Sequence, residues 1–196
     1  TVALWTETGT LITTLAAHTQ RAFDLAFSPA GDELASVGWD GTLRLWRADG
    51  TPLQTLTVAP ETLEQATPAL NAVAFSPNNQ WLAIAGAGGK LLLWQRAANG
   101  QFAAPAQSVI SGHDYKIWDV AFSPDSQIMA TASEDTTIKL WSLDGQLLQT
   151  LMGHRDRVNG LTFIPANTGL PAEWGTVLAS ASWDQTIKLW SLDGQL

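Results

Sequence analysis

Histidines, serines and aspartates recur along the chain in an order that could support hydrolysis. His113 is followed by Ser133 and Asp135, and His154 is followed by Ser182 and Asp184. A hydroxyl nucleophile, an imidazole base and an orienting carboxylate are the groups of a catalytic triad. A triad also needs an accessible hydroxyl and an oxyanion hole, whereas a group that recurs along a chain is more typical of a scaffold. We therefore predict no catalytic residues and no enzymatic activity.

The same histidines do not predict a metal site. His18, His113 and His154 fall in different segments of the chain, and no cluster of thiols or carboxylates accompanies them. The glycine-rich stretch 86–89 leads into a strand pattern and not into a helix, so it does not match a phosphate-binding loop. We expect neither a metal nor a cofactor.

The elements that must position these residues follow from a repeat. A leucine followed by tryptophan occurs five times, and these tryptophans lie 41 to 49 residues apart. Between them, short runs alternate apolar and polar residues, as at 42–46 and 137–141. Pairs such as Ser28-Pro29 end strands, because proline has no N–H to donate to a ladder. We predict an all-β protein built from repeated four-stranded antiparallel units.

Several residues of the repeat unit resemble the WD-repeat β-propeller family. They are Gly-His at 112–113 and 153–154, Phe-Ser-Pro before a polar turn, a Ser-x-Asp turn and the aliphatic-Trp ending. The resemblance covers essentially the whole chain and is closest to the multi-repeat propellers of large bacterial proteins. It implies four-stranded blades arranged around a central channel.

In that family a histidine, a serine or threonine, the aspartate of the turn and the tryptophan form a hydrogen-bonded network. The resemblance implies that the members here are His18, Asp40, Trp46, His113, Ser133, Asp135, Trp141, His154, Ser182, Asp184 and Trp190. The first copy has Gly38 at the serine position. The next copy has no histidine and has Gly86 and Gly88 in place of the serine and aspartate, so we expect packing alone to hold it.

The resemblance also implies an incomplete ring. We expect one partial propeller over 1–196, with about four blades plus one strand and not a complete seven-blade ring, because family propellers usually need about seven blades to close. The expected divisions are the end of a preceding blade (1–17), a blade (18–57), a degenerate blade (58–112), a blade (113–153) and a blade lacking most of its last strand (154–196). Closure would require the remaining blades of a parent propeller or other copies. Enlarged connections are expected at 57–70, 95–111 and 164–176.

Family propellers bind partners at three positions of one rim: three and five residues after the histidine, and immediately before the turn aspartate. The first position gives Arg21, Lys116 and Arg157, the second gives Phe23, Asn71, Trp118 and Asn159, and the third gives Trp39, Glu134 and Trp183. Tryptophan and arginine are enriched at binding hot spots. Packing of these aromatic rings against neighbouring blades is the alternative.

Composition limits the partners. The net charge of −8 makes nucleic acid an unlikely ligand, and no apolar run approaches the roughly 20 residues that span a bilayer. The absence of cysteine agrees with a reducing cytosol, so we expect a cytoplasmic location.

We expect a non-catalytic scaffold or sensor that binds a protein or peptide, with an acidic partner favoured by the basic rim. The less favoured alternatives are a propeller enzyme with a site in the central channel or in the 164–176 connection, and a nucleic-acid or chromatin-type reader.

Overall fold

Within the residues that the structure describes, the regular structure is entirely β. The computed structural model describes residues 1–59, 69–103, 106, 108–165, 171 and 175–192. The strands are β1 Val2–Trp5, β2 Leu11–Leu15, β3 Ala22–Phe27, β4 Glu33–Gly38, β5 Thr42–Arg47, β6 Pro52–Thr57, β7 Leu70–Phe75, β8 Trp81–Gly86, β9 Lys90–Gln95, β10 Ser108–Ser111, β11 Ile117–Phe122, β12 Ile128–Ser133, β13 Ile138–Ser142, β14 Leu147–Leu151, β15 Val158–Ile164, β16 Val177–Ser182 and β17 Ile187–Ser191.

These strands form five separate antiparallel sheets, in which each strand pairs with the next along the chain. Sheet 1 is β1–β2, sheet 2 is β3–β6, sheet 3 is β7–β10, sheet 4 is β11–β14 and sheet 5 is β15–β17. The predicted fold class, an all-β propeller segment of four-stranded antiparallel blades, is confirmed. Most of the predicted 164–176 connection, much of the 57–70 connection and residues 193–196 lie outside the described residues. The described part of the chain contains no helix able to span a membrane.

A serine hydroxyl organises the turn that follows the first strand of a sheet. Ser28 comes directly after β3, and its Oγ accepts a hydrogen bond of 3.0 Å from the Glu33 N–H while donating to Asp32. Ser123 does the same after β11, where its Oγ accepts from the Ile128 N–H at 2.9 Å. The hydroxyl closes the turn by accepting this N–H, and the following proline has no N–H with which to continue the ladder, so the first strand ends at the Ser-Pro pair.

The core lies between the sheets and not within any one of them. Four buried apolar clusters are present, and each draws on two consecutive sheets. In the cluster between sheets 3 and 4, for example, Leu91 and Leu93 of β9 pack with Val120 of β11 and Trp141 of β13. A single sheet therefore has no core of its own, and its two apolar faces are buried only by its neighbours.

Polar side chains also join the first strands of neighbouring sheets. Asp24 of β3 accepts a hydrogen bond of 2.9 Å from the Val73 N–H of β7. Asp119 of β11 accepts one of 2.6 Å from the Leu161 N–H of β15. The pKa of Asp119 is raised to about 6. Burial is the main cause and the charge of Asp24 adds to it, while hydrogen bonds from the Leu161 and Val120 N–H groups oppose the increase.

The expectation that packing alone holds the third sheet is wrong. Arg96, directly after β9, forms an ion pair with Glu33 of sheet 2 at 2.6 Å. Gln54 of β6 donates to the Phe102 carbonyl at 2.6 Å and accepts from the Phe102 N–H at 3.2 Å. Phe102 is fully buried in the core between the two sheets. The connection after β9 thus supplies polar links that the repeat pattern did not predict.

We predict that the contribution of Asp119 to the free energy of unfolding falls as the pH rises from about 4 to about 6, because native Asp119 binds its proton more tightly than an unfolded aspartate with a pKa near 4. The stabilising contribution is complete below about pH 4 and is lost as the pH rises through about 6. Urea unfolding at a series of pH values measures it.

In the Asp119→Asn variant this decline should be smaller, since no proton is lost at that position. Asp49→Asn is the control, because hydrogen bonds from Thr51 lower the pKa of the exposed Asp49 and its titration falls below this window. An unchanged pH dependence in Asp119→Asn would contradict the prediction.

Candidate functional site

A hydroxyl in the middle of β12 holds a histidine and a tryptophan together. The Thr131 Oγ1 atom lies 2.7 Å from His113 Nε2 and accepts a hydrogen bond of 2.9 Å from Trp141 Nε1. On its other side, His113 Nδ1 lies 2.7 Å from Asp135 Oδ2. When the imidazole carries its proton on Nδ1, each of these buried groups has a partner: indole to hydroxyl, hydroxyl to Nε2, and Nδ1–H to carboxylate.

The prediction that Ser133 and Ser182 belong to this network is wrong. Ser133 lies at the end of β12 and donates to the Lys116 carbonyl at 3.0 Å. Ser182 likewise donates to the Asp156 carbonyl at 3.0 Å. The hydroxyl that the network uses lies two residues earlier on the same strand face. Trp141 lies opposite Met129, near the start of β12, so the indole is closer to Thr131, the next residue along that face, than to Ser133.

The first copy is complete, although Gly38 predicted a missing hydroxyl. Ser36 Oγ lies 2.8 Å from His18 Nε2 and accepts from Trp46 Nε1 at 3.0 Å, and His18 Nδ1 lies 3.0 Å from Asp40 Oδ1. A side chain at Gly38 would bring its Cβ to 2.8 Å from His18 Nδ1. The glycine therefore makes room for the histidine.

The last copy has the same arrangement. Ser180 Oγ lies 2.8 Å from His154 Nε2 and accepts from Trp190 Nε1 at 2.8 Å. His154 Nδ1 lies 2.8 Å from Asp184 Oδ2. Sheets 2, 4 and 5 thus each contain their own copy of the same network.

Sheet 3 has no such network. Ile84 pairs with Leu92 as Thr131 pairs with Lys139, so an aliphatic side chain occupies the position of the hydroxyl. The Trp94 Nε1 atom is buried and has no hydrogen-bond partner among the described residues.

The turn aspartates are held in their charged form. Burial alone would raise the pKa of Asp40, but hydrogen bonds from Thr42 and His18 outweigh it and lower the pKa to about 2. Burial would likewise raise the pKa of Asp135, but hydrogen bonds from His113 and Thr137 outweigh it and lower the pKa. For Asp184, the hydrogen bond from Thr186 is the largest cause of a lowered pKa. A permanent carboxylate at each turn keeps its histidine oriented over a wide pH range.

A backbone hydrogen bond between the segment before the first strand and the turn before the third strand sets the geometry of the rim. Each of the three basic residues directly precedes the first strand of its sheet, and its carbonyl accepts a hydrogen bond from the backbone N–H of the residue just before the turn aspartate. These pairs are Trp39 with Arg21 at 2.9 Å, Glu134 with Lys116 at 2.9 Å and Trp183 with Arg157 at 3.0 Å. The first and third predicted rim positions are therefore neighbours in each blade.

The second rim position lies on a β-bulge. In the first strands of sheets 2 to 5, residues 23, 71, 118 and 159 are skipped in the pairing with the second strand. A bulge re-aims the side chain of the extra residue. Phe23 and Trp118 consequently meet above the intervening sheet 3, with ring centroids 6.0 Å apart.

Aromatic rings and cations form one continuous cluster, which we call the rim cluster: Arg21, Phe23, Trp39, Lys116, Trp118, Arg157 and Trp183. Phe23 stacks on Trp39 at 5.8 Å. The Arg21 guanidinium lies 4.8 Å from the Trp39 ring centroid, and Lys116 Nζ lies 5.8 Å from that of Trp118. Arg157 lies between two rings, 3.1 Å from Trp183 and 5.9 Å from Trp118.

The three cations of the rim cluster have no hydrogen bond or ion pair through their charged groups to any other described residue. Arg21 and Lys116 are exposed, and Arg157 is half-buried. Each lies instead over an aromatic face, which holds a cation without neutralising it. In a protein of net charge −8, such unpaired positive charge on one face is available to an anion.

The remaining predicted rim residues differ in accessibility. Trp183 is 58% exposed and Asn159 is exposed, whereas Trp39 and Trp118 are partly buried within the cluster. The prediction that Asn71 faces a partner is wrong: its side chain is 3% exposed, because its Nδ2 donates to the Ile117 carbonyl of sheet 4 at 3.1 Å.

Two residues that the sequence analysis did not select belong to the same surface. Tyr115 and Asp156 line a concavity beside Trp183, together with Glu134 and Arg157. Tyr115 is 61% exposed. Each lies two residues after a network histidine, just before the first rim position, and this proximity is their signal in the sequence.

Comparison with known proteins places the chain among repeat proteins. The family described as "WD domain, G-beta repeat" matches residues 9–47, 51–95, 105–142 and 145–191. The solved structure of U3-55K superposes with a TM-score of 0.76 at 20% sequence identity, over 92% of this chain and 52% of that one. That likeness shows the fold alone.

Similar sequences come from proteins of assembly processes. The ribosome biogenesis protein WDR12 homolog of Nematostella vectensis is 34% identical over 156 residues, which is 77% of this chain and 35% of that protein. A subunit of chromatin assembly factor 1 from Gallus gallus is 29% identical over 152 residues, which is 68% of this chain and 27% of that protein. The chain thus spans about a third of the length of these relatives, or less.

The expected cytoplasmic location is contradicted by these relatives, because chromatin assembly and ribosome biogenesis are nuclear or nucleolar processes. The inference failed because nuclear proteins also lack disulfides, so an absence of cysteine does not separate the two compartments.

We predict that Thr131→Val destabilises the protein by about 1 to 3 kcal/mol, because it leaves the buried His113 Nε2 and Trp141 Nε1 atoms without a partner at nearly constant volume. Chemical denaturation monitored by tryptophan fluorescence measures the loss. Thr131→Ser is the matched control, because it keeps the hydroxyl that Ser36 and Ser180 supply in the other copies, and it should stay close to wild type. Equal stabilities of the valine and serine variants would argue against a shared hydroxyl.

Proposed function

The chain belongs to the WD-repeat family, and on this basis we propose that it is a non-catalytic scaffold that binds a protein or peptide through the rim cluster. The observation that carries the proposal is the continuous contact from Arg21 to Trp183, which spans sheets 2, 4 and 5 on one face. Tryptophan, arginine and tyrosine dominate binding hot spots because they bury a large area and offer few but directional polar groups.

The partner segment that fits this face carries anionic side chains next to apolar ones. Arg21, Lys116 and Arg157 present unneutralised charge, and Trp183 and Tyr115 present exposed ring surface beside it. No described residue accepts a hydrogen bond from these cations. A partner anion can therefore accept hydrogen bonds from them without breaking any bond within the described part of the protein.

The relatives support the same class of function. One is named for ribosome biogenesis, and another is named as part of a chromatin assembly factor. A scaffold role in an assembly agrees with a rim cluster that extends over three sheets.

The histidine, hydroxyl and carboxylate groups do not favour catalysis. Thr131 and Ser36 are fully buried, and Ser180 is nearly so. Their hydroxyls are already bonded to an imidazole and an indole, so they are neither accessible to a substrate nor free to act as nucleophiles. Within the described ranges, no three His, Cys, Asp or Glu side chains lie together as metal ligands would.

The proposal is tested with a panel of fluorescein-labelled dodecapeptides in which Glu, Gln or Lys alternates with neutral residues and one tryptophan or leucine. We predict saturable binding of the glutamate peptides, measured by fluorescence anisotropy, with weaker binding of the glutamine series and none of the lysine series. The combined variant Trp39→Ala, Trp183→Ala and Arg157→Glu should weaken binding by at least about a hundredfold, as expected for loss of two or more hot-spot residues.

The matched control replaces exposed residues outside the rim cluster: Leu147→Ala, Leu148→Ala and Arg47→Glu. This control changes the net charge by the same amount and also removes two large apolar side chains. Because none of its positions lies in the rim cluster, it should bind as wild type does. Equal affinity of the rim variant and the control would refute the proposal, and so would equal binding of the glutamate and lysine series.

A further inference from the structure

Arg157 is oriented by stacking, and stacking leaves its hydrogen-bonding edge unused. Its guanidinium carbon lies over two rings, 3.1 Å from the Trp183 ring centroid and 5.9 Å from that of Trp118. The five N–H groups of a guanidinium point outward in that plane, so contacts with its faces do not consume them. None of these N–H groups is bonded to a described residue.

Arg96 shows what a structural arginine looks like in this same chain. Its guanidinium also lies over a ring, 4.5 Å from the centroid of Phe102. Its donors, however, are all engaged: they reach the Glu33 carboxylate, the Asn79 and Gly100 carbonyls and the Asn79 side chain, at 2.6 to 3.3 Å. Arg157 lies over a ring as Arg96 does, but no described residue accepts a hydrogen bond from its guanidinium. The contacts within the described part of the protein therefore do not explain why an arginine occupies this position.

Resting on the function proposed above, we propose that Arg157 is an oxyanion receptor that binds one carboxylate or phosphate group of the partner in a bidentate manner. Carboxylate and phosphate oxygens match the spacing of the guanidinium fork, and a fork fixed in advance loses less conformational freedom on binding. Arg157 is thereby the residue of the rim cluster that determines specificity, while Arg21 and Lys116 supply general attraction.

The surroundings restrict the ligand to a single anionic side chain. The concavity beside Trp183 is lined by Glu134 and Asp156 as well as by Arg157. These two carboxylates repel a continuous acidic run but accept hydrogen bonds from backbone N–H groups or from a neighbouring basic residue. Exposed Tyr115 and Trp183 offer ring surface to an adjacent apolar side chain.

Arg21 is the natural comparison within the cluster. It lies over Trp39 at 4.8 Å, on one ring face only, and it is exposed where Arg157 is half-buried. Its fork is therefore less restrained. Replacement of each arginine by lysine keeps the charge and removes only the planar fork, which separates bidentate recognition from general electrostatic attraction.

The experiment titrates the full 196-residue chain with N-acetyl-glutamic acid amide, N-acetyl-O-phosphoserine amide and uncharged N-acetyl-glutamine amide. Two-dimensional ¹⁵N NMR follows the guanidinium Nε–H of Arg157 and the indole N–H of Trp183. We expect saturable shifts of both signals with the glutamate or the phosphoserine compound, and none with the glutamine compound. The tighter of the two anions identifies the source of the oxyanion.

Arg157→Lys should weaken that binding by at least about tenfold, as expected for the loss of a charge-assisted hydrogen bond. Arg21→Lys should change it by roughly threefold or less, as for an exposed charge whose sign is kept. In the lysine variant at 157 the Trp183 indole signal reports the titration.

No saturable shift with either anion overturns the receptor, and so does an equal effect of the two lysine variants. The peptide panel, measured on the same samples, keeps the two proposals apart. If rim-dependent peptide binding persists while the small anions do not bind at Arg157, only the receptor fails. If peptide binding is also independent of the rim, the proposed function fails as well.

Discussion

The shared mid-strand hydroxyl is the interaction that fixes the segments of a blade to one another in sheets 2, 4 and 5. Ser36, Thr131 and Ser180 each bind a histidine from the segment before the first strand and an indole from the third strand. The histidine then uses its second ring nitrogen to hold the turn aspartate. Three segments that are distant in sequence are thereby fixed to one another at a single buried point, where an unpaired polar group would be costly.

The rim cluster is built on the turns that these aspartates occupy. Asp40 and Asp184 also accept hydrogen bonds from the backbone N–H groups of Thr19 and Arg155, each directly after a network histidine. The segment before the first strand pairs with the turn in sheets 2 to 5, including sheet 3, where the Ala87 N–H donates to the Ala69 carbonyl at 2.9 Å without the network. This backbone pairing brings Arg157 next to Trp183, and Arg21 next to Trp39, without either pair being adjacent in sequence.

Sheet 3 shows what happens when the network is absent. It has Ile84 in place of the hydroxyl, Trp94 without a partner, and small residues, Ala69 and Ala87, at the first and third rim positions. Asn71 turns inward to sheet 4, and this leaves Phe23 and Trp118 free to meet above it. In place of the network, the interface with sheet 2 supplies polar links, where Arg96 and Phe102 provide an ion pair, backbone hydrogen bonds and buried ring surface. The unmatched copy acts as a spacer between the two halves of the rim cluster.

The sequence by itself determined the repeat, the strands and the class of fold, because the Leu-Trp spacing, the alternation of apolar residues and the Ser-Pro turns are local signals with a fixed period. It also selected the histidines, aspartates and tryptophans of the network and the cations of the rim. Only the tertiary structure decided which hydroxyl joins them. Ser133 and Thr131 lie on the same strand face, and the pairing of β12 with β13 settles which of them the indole reaches. It also decided that Asn71 is buried and that Arg157 lies near two rings, since each depends on a group contributed by a neighbouring blade, the Ile117 carbonyl for Asn71 and the Trp118 ring for Arg157.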